Sequence, residues 1–239
     1  MLIAYGPHQD NVIDLTMPPG RRPTALVVVL HGGYWRQRVG FDHIAPAAAA
    51  LAARGHAVAN VEYRRVGGGG GWPMALLDIA AAADAVGHLV PQVVYLGHSV
   101  GGYLALWNAL RDRLPPGAPG WSPRRPAVSR IVAVAPVSRL VDAYSVSGSG
   151  EGAVRDFMGG APEDLPERYA SCDPGSLGAP GVPVTVVHGD ADANVPIEMS
   201  RVYARDTGCR LVELAGVDHF QPVTPGHPAW EAVLGEVGP

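Results

Sequence analysis

The chain of 239 residues contains no lysine: all 18 of its basic residues are arginine. That absence excludes a pyridoxal phosphate or aldolase Schiff base, the lysine of a P-loop and the Ser-x-x-Lys pair, because each needs a primary amine. Cysteine is nearly absent too. Cys172 and Cys209 stand far apart with no Cys/His cluster around them, so neither a metal site nor a disulfide framework is expected. No apolar run approaches the ~18 residues of a membrane span. The opening MLIAYGPHQD lacks the basic and apolar regions of a secretion signal, so a cytoplasmic location is expected. A net charge of −4 gives no basic footprint for nucleic acid and no pull toward anionic membranes. The partner left is a small molecule, and nothing in the sequence sets the oligomeric state.

What is present is a rhythm of short β-branched runs at 11–15, 25–30, 57–62, 92–96, 130–135, 183–187 and 210–214. Most are apolar on successive residues, as a sheet covered on both faces requires, and helical stretches at 43–54, 73–89, 100–113, 197–206 and 228–236 lie between them. The pattern predicts an α/β fold in one domain over 1–239, with a mostly parallel central sheet and helices on both faces. Two segments break the alternation. Residues 114–128 are too rich in Pro and Gly for regular structure, and 138–180 reads as a small cap-like insertion with one or two short helices at best.

The strand at 92–96 runs into Gly97-His98-Ser99-Val100-Gly101 and then a helix. With 31 glycines in the chain, a bare Gly-x-Ser-x-Gly is expected by chance about 0.2 times, so the strand before it and the helix after it carry the reading. A tight strand-to-helix turn displays the middle side chain above the sheet, which makes Ser99 a candidate nucleophile. A serine hydroxyl needs a base to take its proton, and that base needs a carboxylate to fix its tautomer. Downstream, Asp192 follows the strand at 183–187 and His219 follows the strand at 210–214, each at a carboxyl end, where open α/β sheets place their sites. Asp190 and Asp218 flank these two and are the alternatives for the acid; otherwise they are hydrogen-bonded turn carboxylates.

From Tyr5-Gly6-Pro7 to the last helix the sequence resembles the α/β-hydrolase superfamily, within it the arylformamidase (kynurenine formamidase)-like and neighbouring carboxylesterase branches. The most specific element is His31-Gly32-Gly33-Tyr34-Trp35, which is similar to the HGGxW of that branch. The acid of the HGxxDxxVP pattern falls on Asp192. The resemblance implies an oxyanion hole from the N–H groups of Gly33, Tyr34 and Val100, and no metal or organic cofactor. It implies hydrolysis of a small-acyl ester or an N-formyl aryl amide. A triad-retaining acyltransferase or cyclase and an inactive binding protein are the alternatives.

Trp35, Trp72, His98 and Phe220 are candidate substrate-binding residues, although His98 reads first as a packing residue beside the turn and at least two of the aromatics Tyr34, Trp35, Trp72 and Phe220 are expected in the core. His31 is expected to orient its loop and Glu62-Tyr63-Arg64 to supply a structural ion pair. The Gly67 to Gly71 run fails GxGxxG, since Trp72 and Pro73 take the closing positions, and reads as a flexible loop rather than a phosphate cradle.

Overall fold

A computed structural model describes residues 1–20, 22–146 and 150–238. In it the β-branched runs form strands and the Ala-rich stretches form helices, in the order β1 (Leu2–Ala4), β2 (Val12–Thr16), β3 (Leu26–Leu30), α1 (Ala45–Ala53), β4 (Ala57–Val61), α2 (Met74–Val86), β5 (Val93–His98), α3 (Val100–Asn108), β6 (Arg130–Val134), α4 (Leu140–Tyr144), α5 (Ala153–Met158), α6 (Pro166–Cys172), α7 (Pro174–Leu177), β7 (Val184–Gly189), α8 (Ile197–Thr207), β8 (Arg210–Leu214) and α9 (Pro228–Val237). The sheet order is β1-β2-β4-β3-β5-β6-β7-β8. Strands β3 to β8 are parallel, while β2 pairs antiparallel with both β1 and β4.

Every residue of β3, β4, β5 and β7 is buried, because each strand is covered on both faces. Successive side chains alternate between two cores. Leu26, Val28, Tyr95 and Ile131 pack with α2 and α3, whereas Val27, Val29, Leu96 and Val132 pack with α1 and α9. Register then assembles the site. Pairing of Leu30 with Gly97 sets the loop after β3 beside the turn after β5, and pairing of Gly189 with Leu214 sets the loops after β7 and β8 side by side.

The structure corrects three expectations. β1 is an additional edge strand of only three residues, too short to leave a periodic signal. The described part of the insertion holds four short helices, α4 to α7, rather than one or two; residues 147–149 of it lie outside the described residues. Pro166 and Pro174, which resemble helix breakers, stand in first turns, where the missing N–H removes no bond. The five-glycine run is a packed turn: Gly67, Gly69 and Gly71 have φ of 95°, 82° and 95°, and a Cβ on Gly70 would collide with the Arg64 carbonyl.

Candidate active site

At the end of β5 the chain passes from strand to helix within one residue. Ser99 takes φ 59° and ψ −123°, a strained conformation for a residue with a side chain. Glycine is required on both sides, since a Cβ on Gly97 would strike the Gly101 carbonyl and one on Gly101 would strike the Leu30 carbonyl. The Ser99 N–H is anchored on the Val134 carbonyl at 2.8 Å.

The loops after β7 and β8 bring Asp192 and His219 together. His219 Nδ1 donates to Asp192 Oδ2 at 2.6 Å, and the carboxylate is wholly inaccessible to solvent. Its other oxygen accepts the N–H groups of Asn194 at 2.7 Å and Val195 at 2.9 Å, and His188 Nε2 lies 3.1 Å from Oδ2. Burial alone would raise the pKa of this carboxyl, but the hydrogen bonds from His188 and His219, with the backbone N–H groups, outweigh it and hold Asp192 well below the usual carboxylate range. Asp190 and Asp218 are exposed turn carboxylates: the first accepts Gly216 N–H at 2.6 Å, the second the N–H groups of Phe220 and Gln221 at 2.9 and 3.0 Å.

His98, the candidate that the sequence left between packing and pocket lining, is fully buried. Its Nε2–H donates to the His219 carbonyl at 2.8 Å and its ring centroid lies 4.6 Å from that of His219. Desolvation, with the neighbouring His219, lowers its pKa to about 3, so the ring stays neutral beside His219. Among the described residues the hydrogen bonds of His219 run to Asp192 and His98, and none links its Nε2 to Ser99 Oγ; in acyl-transfer sites that contact often tightens only when substrate is in place.

The loop after β3 lies against the turn of Ser99. Gly33 (φ 111°), Tyr34 (φ 56°) and Trp35 (φ 55°) all adopt positive φ, and a Cβ on Gly33 would sit 2.5 Å from Val39 Cβ. Val100 opens α3, so its N–H has no intrahelical acceptor, and among the described residues neither Val100 N–H nor Gly33 N–H is taken up by a backbone carbonyl. His31 does orient this loop, through Gly32 O at 2.7 Å and Glu62 Oε1 at 2.9 Å. The partner of Glu62 is Arg65 at 2.9 Å rather than Arg64, which pairs with Asp78, and Arg65 reaches on to Asp10 at 3.0 Å. This buried network spans three loops, which is why adjacency in the sequence misassigned it.

Between the β3 loop and the acid loop lies a cavity of about 30 Å³, lined chiefly by Tyr34, Trp35, Val100, Val137, Val154, Val195 and Met199. That is room for two or three water-sized groups at about 10 to 15 Å³ each. Tyr34 Oη donates to Asn194 Oδ1 at 2.7 Å, joining two of its lining residues. Trp35 is 1% exposed and stacked on Phe157 at 4.4 Å, so it is a core residue that also backs the cavity. Trp72 does not line it; its ring lies under the Arg168 guanidinium, 3.9 Å away, in a separate groove. Phe220, 48% exposed, does not line the cavity either; its ring packs against those of His43, His98 and His219. The sequence reading missed His188 and the valine and methionine lining; the HGxxD spacing was the available signal for the first. Among the described residues no group of three or more His, Cys, Asp or Glu side chains is placed to hold a metal ion, and no helix is long and apolar enough to cross a membrane.

The model of the BD-FAE family matches residues 13–206. Among solved structures, esterase B from Lactobacillus rhamnosis shares 18% identity at a TM-score of 0.81, covering 99% of this chain and 82% of its own. A propionate-bound thermophilic esterase from Thermogutta terrifontis shares 22% identity at a TM-score of 0.75, covering 98% of this chain and 90% of its own. A bifunctional GH43-CE protein of Bacteroides eggerthii shares 19% identity at a TM-score of 0.78; the match covers 98% of this chain but only 37% of that protein's length. Among curated proteins no significant sequence relative is found.

Proposed function

The chain belongs to the BD-FAE family of α/β-hydrolase carboxylesterases, and on that premise we propose that it cleaves small-acyl carboxylic esters with Ser99 as nucleophile, His219 as base and Asp192 as acid. The observation that carries the assignment is the Asp192 carboxylate, sealed from water and aimed by 2.6 Å at the Nδ1 of a histidine whose carbonyl is tied to the residue preceding the strained serine. With Nδ1–H so held, Nε2 carries the lone pair that accepts the Ser99 proton as Oγ attacks the carbonyl carbon. The N–H groups of Gly33 and Val100, with Tyr34 beside them, receive the charge that develops on the carbonyl oxygen. His219 then protonates the departing alcohol, and a water deprotonated by the same nitrogen releases the acid and restores Ser99.

The cavity supports the small-acyl reading. Among the described residues its walls are mainly apolar, with Asn194 and the Tyr34 hydroxyl as polar groups and no formal charge, so a short uncharged acyl group fits and an acidic one is disfavoured. The same size favours a second reading, an N-formyl aryl amide, since formyl is the smallest acyl group. The test is a comparison of kcat/KM for phenyl esters of increasing acyl length and for N-formylkynurenine. Turnover of acetyl and propionyl esters that falls for long chains supports the reading, and formamide turnover above ester turnover selects the second. Preference for acyl chains of about eight carbons or more would overturn the small-pocket assignment. No turnover of p-nitrophenyl acetate would favour a non-hydrolytic enzyme or a binding protein.

A further inference from the structure

Resting on that reading, we propose that His188 is a positioning residue for the acid, acting with Ser200 as a second arm that fixes the orientation of the Asp192 carboxylate and the share of its charge that reaches His219. His188 ends β7 four residues before Asp192, and its side chain is inaccessible to solvent. Its Nε2 lies 3.1 Å from Asp192 Oδ2 and 3.0 Å from the Val195 carbonyl. Both partners only accept, so this nitrogen carries a hydrogen. Its Nδ1 lies 2.7 Å from Ser200 Oγ, whose hydroxyl donates to it when the ring is neutral, and Ser200 on α8 is itself fully buried. The hydrogen-bond chain therefore reads histidine, carboxylate, histidine, serine from His219 to Ser200, with two imidazole N–H groups meeting on a single carboxylate oxygen.

The consequence is electrostatic as well as geometric. A carboxylate that shares its charge between two imidazoles stabilises the imidazolium of His219 less than one that faces His219 alone. His188 thus keeps the base from becoming too basic while preventing the carboxyl from turning away. Among the described residues the other titratable or charged groups facing this hydrogen-bond chain are His98 and His43 on the His219 side and, on the other, Glu213, the cross-strand neighbour of His188 on β8, with its partner Arg201 on α8.

The test uses the full chain as His188→Leu, His188→Gln and Ser200→Ala, with active sites counted by stoichiometric release on reaction with a p-nitrophenyl phosphonate. In His188→Leu, kcat per active site for p-nitrophenyl acetate is expected to fall about 10- to 100-fold, the scale of one hydrogen bond to a charged group, with KM unchanged. The acid limb of its pH profile moves to higher pH, and the far-downfield proton of the His219–Asp192 bond shifts. His188→Gln, whose amide can donate from nearly the same place, recovers most of the rate. Ser200→Ala moves all readouts in the same direction by less, and these two conservative variants carry the test if the leucine variant does not fold. An unchanged kcat per active site, a fall with unmoved acid limb and proton resonance, or glutamine no better than leucine would overturn the proposal. Wild-type turnover by Ser99→Ala would instead overturn the serine-esterase reading on which it rests.

Discussion

Replacing Asp192 by asparagine changes one atom of the proposed triad, and the surrounding donors set its effect. Four of them face the carboxylate, two on each oxygen: the N–H groups of Asn194 and Val195 on Oδ1, and the imidazoles of His188 and His219 on Oδ2. An amide has one accepting atom and one donating atom where the carboxylate has two acceptors, so in either orientation its NH2 faces N–H groups. With the NH2 toward the imidazoles, His219 has to present Nδ1 as an acceptor, which puts its hydrogen on Nε2 and removes the lone pair that would take the Ser99 proton. A base locked in the wrong tautomer loses about 10⁴-fold in kcat. With the NH2 toward the backbone, buried N–H groups are left unpaired at about 1 to 3 kcal/mol. A melting temperature lower by several degrees is expected in either case, at about 2 to 4 °C per kcal/mol for a chain of this size. Asp190→Asn is the control: the side chain is exposed, and an asparagine oxygen can still accept the Gly216 N–H. The assay is kcat per phosphonate-titrated active site for both variants, alongside thermal unfolding. Equal losses in the two, or a larger loss in Asp190→Asn, would refute the assignment of Asp192.

Ser99→Ala should abolish turnover while melting like the parent, and a serine-directed phosphonate should label Ser99 and no other residue, read by mass spectrometry. Gly101→Ala should lower both activity and melting temperature, because its Cβ would enter the Leu30 carbonyl; a variant of parental stability and rate would contradict the packing described. Met199→Ala should enlarge the acyl cavity and raise kcat/KM for butyryl relative to acetyl esters, and an unchanged ratio would separate Met199 from acyl selection. His98 stays neutral down to a pKa of about 3 in the folded protein, whereas in the unfolded chain it binds a proton below ~6.5. Its burial therefore removes stability as the pH falls between these values. His98→Gln should flatten that acid slope by about one proton, measured by denaturant unfolding at several pH values; a slope as steep as the parent's would refute it.

Much of this protein was written locally. The runs LVVVL, VVYL and RIVAV have no polar alternation, so burial on both faces, hence strands in the middle of an α/β sheet, followed from them directly. Gly97, Ser99 and Gly101 define a turn of five residues, and a turn is a local object. Asp192 and His219 were legible because each trails a strand, and parallel strands deliver their carboxyl ends to one edge.

The network of Asp10, His31, Glu62 and Arg65 joins positions far apart in the chain, and only the order β1-β2-β4-β3-β5 brings their loops together. The aromatics were ambiguous for the same reason: Trp35 lies in the loop after β3 and Trp72 just before α2, yet Phe157 stacks on the first and Arg168 caps the second, both from an insertion with no periodic signal. The sequence left His98 between packing and pocket lining until a tertiary contact tied its Nε2 to the His219 carbonyl on another loop, whereas His188 meets Asp192 only four residues on, a spacing that HGxxD already carried. Sequence fixes backbone conformation over a few residues through sterics and burial; which side chains then meet depends on strand order and loop packing, whose contacts span the chain and leave no short-range pattern.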